Sequence, residues 1–151
     1  MTLPFDPAAE NLTPLPHGAQ NLCFGCGPAN SVGLHLTFYA TPDHSIVSVV
    51  TVGNQYEGPP GYLHGGIIAT LLDEVMSKAN RARGHVALTR KLEVEYLRPI
   101  PSTQPIRLEA SLTRIEGRKL FPTARILNAR GTVLATATAL FIEYDPSRHN
   151  F

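Results

Sequence analysis

His64-Gly-Gly-Ile-Ile-Ala-Thr-Leu-Leu-Asp73-Glu-Val-Met-Ser-Lys-Ala-Asn-Arg81 is the stretch on which the fold turns. Ile67, Ile68, Leu71, Leu72, Val75, Met76 and Ala79 recur at spacings of one, three and four. That spacing predicts a helix from His64 to about Arg81 with one broad apolar face, and Gly84 ends it. Immediately before it, Gly58, Pro59, Pro60 and Gly61 mark residues 54–63 as a loop. Working outward, residues 33–40 and the β-branched run 45–52 read as strands ahead of the helix. Four more follow, at 87–98, about 105–116, 119–128 and 132–144, with turns at Pro99-Ile-Pro101, Glu116-Gly117 and Arg130-Gly131. A single apolar helix needs a sheet to cover it, and strands joined by short turns pair antiparallel. The expectation is an α+β domain with an antiparallel sheet of five to six strands wrapped around one central helix. Residues 1–20, with Pro4, Pro7, Pro14 and Pro16, are expected to form an irregular arm, leaving 21–151 as the domain.

The chain has 151 residues, 43% of them hydrophobic and 17% charged, enough for one domain and inconsistent with disorder. No apolar run approaches the length of a membrane span, and the first 20 residues carry no Lys or Arg, so a soluble, cytoplasmic protein is expected. The net charge of +1 hides a split: residues 1–77 carry −6, and residues 78–151 carry +7. Such asymmetry suggests a basic surface for an anionic ligand. The basic residues are dispersed rather than run together, which argues against a nucleic-acid arm.

Opposite the apolar face of the helix lie Gly66, Ala69, Thr70, Asp73, Ser77 and Asn80. Small residues around one carboxylate leave room for a ligand or another chain, and desolvation there raises an aspartate toward general-base territory. Gly65 and Gly66 leave the first-turn N–H groups of the helix uncovered, a donor set for a developing oxyanion. Asp73 lies roughly 10 Å along the axis from Gly66, so two antiparallel copies of the helix would be needed to bring the two features together. The plainer alternative is a tight turn followed by a solvated aspartate.

With these residues in place, the sequence resembles a known family. Gly58-Pro-Pro-Gly-Tyr-Leu-His-Gly-Gly-Ile-Ile-Ala-Thr-Leu-Leu-Asp-Glu74, with residues 23–34 and Leu92-Glu-Val-Glu-Tyr-Leu-Arg-Pro99, is similar to hot-dog-fold acyl-CoA thioesterases of the phenylacetate-pathway type, in the 4-hydroxybenzoyl-CoA thioesterase superfamily. The resemblance implies hydrolysis of an acyl-CoA thioester without a cofactor by a homodimer, or a dimer of dimers, paired through the 87–98 strands. It implies Asp73 as base or nucleophile, and Gly66, with Gly65, as the N–H site for the carbonyl oxygen. His64 would support the loop, and Thr89, from the facing subunit, would hold the attacking water. Many relatives carry Asn or Gln where this chain has Gly58, and Gln55 or Glu57 could substitute. Glu74 projects away from the helix face that carries Asp73. Arg81, Arg83, Arg90, Lys91 and Arg98 would meet the phosphates of coenzyme A, Arg being suited to phosphate by its planar fork of donors. A non-catalytic acyl-CoA-binding protein on the same fold is the alternative, and a hydratase fits less well.

Cys23 and Cys26, the only cysteines, form Cys-Phe-Gly-Cys-Gly. This is half of a zinc-knuckle pattern, which needs four ligands, and His17 or His35 could contribute. The family often carries these cysteines without an obligatory metal, so a metal-free structural turn is expected. No Gly-x-Ser-x-Gly elbow or P-loop is present.

Overall fold

The computed structural model describes residues 5–145 and Ser147. Its one α-helix, α1, runs Gly65–Ala82. Ile68, Leu71, Leu72, Val75, Met76 and Ala79 are buried on one face, the face that the apolar spacing predicts. The strands are β1 (Thr13–Leu15), β2 (Phe38–Ala40), β3 (Ile46–Thr51), β4 (Ala87–Tyr96), β5 (Pro105–Glu116), β6 (Lys119–Leu127) and β7 (Val133–Glu143). They form one seven-stranded sheet in the order β1-β2-β3-β5-β6-β7-β4, every neighbouring pair antiparallel.

The core lies between α1 and one sheet face. Ile46 of β3 is in register with Ala110 of β5, which meets Ala124 of β6, which meets Ala137 of β7. Alternate residues on these strands, among them Leu108, Ile126 and Phe141, complete the floor. The opposite face is polar. There Arg107 pairs with Glu10 and Glu109, and Arg125 reaches Glu109 as well.

Two differences from the sequence reading have local causes. The expected irregular arm contains β1, which pairs with β2 at the sheet edge and tolerates Pro14 there. The strand expected at 33–40 is paired only from Phe38, because His35 adopts a left-handed backbone (φ 50°) that breaks the extended run. The charge halves also mingle on folding: Lys78 pairs with Glu74, and Arg107 with Glu10.

The far edge of the sheet is β4, which pairs with β7 on one side only and bears the exposed side chains of Leu88 and Tyr96. No helix among the described residues is long and apolar enough to cross a membrane.

Candidate active site

The loop before α1 is held by its own polar groups. The Glu57 carboxylate accepts the Gly61 N–H at 3.0 Å and the Ser102 hydroxyl at 2.5 Å, bonds that hold its carboxyl below the usual glutamate range, Ser102 chiefly. Leu63 N–H donates to the Ile100 carbonyl, and His64 N–H to that of Tyr56. This tethering delivers His64 to the helix start as its N-cap, in extended backbone. A Cβ at Gly58 would stand 3.2 Å from the His64 Cα, so the position where relatives carry an amide does border the histidine. Of the two candidate substitutes, Glu57 is committed to Gly61 and Ser102, while Gln55 is exposed with its amide beside Gly53.

At the helix start the Gly66 N–H donates to Nδ1 of His64 at 2.9 Å. The donor read as an oxyanion site is therefore occupied by the side chain of its own N-cap residue. The Gly65 carbonyl accepts the Tyr96 hydroxyl at 2.8 Å, which ties the same turn to β4. Tyr96 belongs to this site although its sequence context reads only as strand. Its place beside Leu92 and Val94 in the alternation was the one available hint.

Two turns along, Asp73 is half-buried and accepts the Thr89 hydroxyl at 2.6 Å. Burial pushes its carboxyl above the usual aspartate value; the Thr89 hydrogen bond opposes this, and the charge of Glu74 reinforces it. Thr89 reaches Asp73 within one chain, so the two side chains act as a pair carried by the same subunit. The strand bulges between Thr89 and Lys91. Along the small-residue face Gly66 is exposed, Ala69, Thr70 and Ser77 are partly buried, and Asn80 is fully buried. A concavity of about 600 Å³ on the polar sheet face and one of about 580 Å³ beside Phe121 include neither Asp73 nor Gly66.

The five basic residues do not form one cluster. Arg81, in the last turn of α1, and Arg90, at the bulge after Thr89, are exposed. Arg83 donates to the Leu112 carbonyl, and Lys91 faces Glu93 at 3.7 Å. Arg98 lines a separate hollow with Gln104 and Arg130. Glu74 turns the other way, toward Cys23 and Lys78.

Similarity to known proteins falls on the same residues. The thioesterase superfamily model matches residues 60–135, from the loop before α1 into β7. Over 112 residues, 74% of this chain, the sequence is 38% identical to mouse acyl-coenzyme A thioesterase THEM4, of which it spans 48%. The chain thus spans about half the length of that relative. A crystallised thioesterase superfamily protein superposes with a TM-score of 0.74 at 35% identity, over 77% of this chain and 60% of that one. The Escherichia coli PaaI protein, from the phenylacetic acid degradation operon, shares the fold at TM-score 0.68 and 18% identity, over 74% and 81% of the two chains.

Proposed function

Because the chain belongs to the thioesterase superfamily, we propose that it hydrolyses acyl-CoA thioesters with Asp73 as general base. The observation that carries this reading is the half-buried Asp73 carboxylate, held by Thr89 on the small-residue face of a helix that opens with two glycines. Desolvation makes it a stronger base than a surface aspartate, and the Thr89 bond fixes its direction. In the proposed step Asp73 takes a proton from water as the water oxygen bonds to the thioester carbonyl carbon. The carbonyl oxygen gathers charge at the Gly66 N–H, with Gly65 alongside, once His64 has turned aside. The C–S bond then breaks, and the thiolate leaves with the proton that Asp73 held.

Within one chain Gly66 and Asp73 stand roughly 10 Å apart along α1. Antiparallel pairing of two β4 edges about an axis between Leu92 and Glu93 would set Thr89 of one chain opposite Tyr96 of the other. That would bring the partner subunit's Asp73 to this chain's helix start, which supports a homodimer with two shared sites. Arg81 and Arg90, exposed beyond Asp73, are the best placed of the five basic residues for the phosphates of coenzyme A.

Release of CoA from an acyl-CoA panel tests the reading. Asp73→Asn should lose at least ~10²-fold in rate; equal turnover by both proteins removes the assignment. A second reading, an acyl-CoA-binding protein without turnover, has its own support. The Gly66 donor is engaged by His64, and position 58 itself carries no amide side chain. Calorimetry showing tight binding of an acyl-CoA that is recovered unhydrolysed would select it.

A further inference from the structure

Glu74 leaves the thioester face and meets the cysteine turn. Its two carboxylate oxygens each lie 3.7 Å from the Cys23 Sγ, and the ligand atoms of Cys23, Cys26 and Glu74 all fall within 4.8 Å of one another. Two ligands on a tetrahedral zinc ion, one sulfur and one oxygen, stand roughly 3.5 Å apart. The turn is shaped for this approach. A Cβ on Gly25 would come within 2.7 Å of Glu74 Oε2, and one on Gly27 within 2.4 Å of the Asn21 carbonyl oxygen. Only glycine at both positions lets the Cys-x-x-Cys-Gly turn close over Glu74.

A second observation lies next to this cluster, on the Cys26 side. His17 buries both ring nitrogens without a hydrogen-bond partner among the described residues. It lines a hollow with Cys26, and its ring packs 5.9 Å from that of Phe38. Leaving both nitrogens of a neutral imidazole buried and unsatisfied is costly, and a metal bond to one of them removes part of that cost.

Lys78 completes the charge balance. Its ammonium lies 3.1 Å from Glu74 and 5.7 Å from the centre of the Phe38 ring. With the thiols protonated, Lys78 neutralises Glu74. A divalent ion held by two thiolates, one carboxylate and a neutral imidazole carries one net negative charge, which the same ammonium neutralises from outside the ligand shell.

We propose that Cys23, Cys26 and Glu74 form the preformed part of a structural zinc site that fastens the segment before β2 to α1, with the His17 ring turning in beside Cys26 as the fourth ligand. The site stands independently of the thioesterase reading. It departs from the metal-free turn expected from the sequence, because only the fold brings Glu74 to the cysteines and sets the orphaned ring of His17 beside Cys26.

The test uses the full chain, stripped of metal by a chelator under reducing conditions and then titrated with Zn²⁺ against a chromophoric chelator. A parallel Co²⁺ titration is read for sulfur-to-cobalt charge-transfer bands. The wild type should take up one equivalent per chain with those bands and a tetrahedral d–d spectrum. Cys23→Ser and Cys26→Ser should each weaken binding at least ~10²-fold, and Glu74→Gln and His17→Ala at least ~10-fold. Chelation should lower the Tm of the wild type and leave that of Cys23→Ser unmoved. Cys26 is buried and its serine variant can misfold, so the half-buried Cys23 decides the matter if it does. Three results overturn the proposal: wild type that binds no zinc while both thiols react freely, a Cys23–Cys26 disulfide in the purified protein, or Cys23→Ser that binds as tightly as the wild type. Unchanged affinity in His17→Ala overturns the four-ligand set.

Discussion

Thr89 sets the working range of Asp73. Burial raises the carboxyl above its usual value, and the Thr89 hydroxyl, donating at 2.6 Å, pulls it part of the way back. The proposed role of Asp73 as general base requires it deprotonated, so on that reading kcat/KM should fall as pH drops through the Asp73 pKa. Removing the hydroxyl in Thr89→Val raises that pKa further, so the acid limb of the profile should move to higher pH. At neutral pH the loss should stay within about tenfold, the worth of one hydrogen bond. An acid limb that stays in place would show that Asp73 is not the titrating base. Asp73 stands out in the sequence because it is one carboxylate among small residues on a helix face. Its partner Thr89 is legible only through the family resemblance: by pattern it is one of several threonines on strands, and the packing of β4 along α1 is what brings its hydroxyl within reach. Tyr96 and Ser102 are hidden for the same reason, since neither alternation nor spacing reports contacts between distant segments.

At the scale of elements, legibility follows the strength of the periodic pattern. The apolar spacing predicts α1 from His64, and it begins one residue later with His64 as its cap, because seven apolar residues at helical spacing leave no other solution. Strands β5 to β7 have equally plain alternation. β1 has none: it is three residues including a proline, and it exists because Thr13 to Leu15 find β2. The arm is also fastened by Glu10, which accepts two hydrogen bonds from Arg107, at 3.0 and 2.8 Å, and is thereby held below the usual glutamate pKa. A depressed carboxyl contributes stability above its unfolded pKa, and that contribution is lost as pH falls through the folded value. Glu10→Gln should therefore lower Tm slightly at neutral pH, by less than ~1 kcal/mol of stability for so exposed a pair. The difference from the wild type should close as pH falls through the folded Glu10 value, and limited proteolysis before β2 should quicken at neutral pH only. At the other edge, Leu88 is 54% exposed on β4. If two β4 strands pair, Leu88→Glu should shift sedimentation toward the monomer and reduce turnover in parallel, whereas a dimer that persists would place the interface elsewhere.

For the whole molecule, the near-neutral charge conceals an order that folding partly undoes. Lys78 and Arg107 find acids from the other half of the chain, while Arg81 and Arg90 remain exposed near the Asp73 end of the site. Neutralising Arg81, Arg83, Arg90 and Lys91 together should raise KM for an acyl-CoA while leaving kcat within a few-fold, and the difference should shrink as salt is added. An unchanged KM would mean that these residues serve only solubility. Strand order carries a further consequence. Among the described residues β4 pairs only with β7, the last of the described strands in chain order, although the two are separated in sequence by β5 and β6. Thr89 rides on β4, and Asp73 precedes it by a short stretch. On a ribosome, then, residues 73 and 89 would emerge early and wait. β4 has no strand to lean on until Val133–Glu143 has been synthesised. A chain cut short before β7 would carry every residue of the proposed chemistry and still leave Thr89 unmoored from Asp73, so competence arrives with β7 and not before.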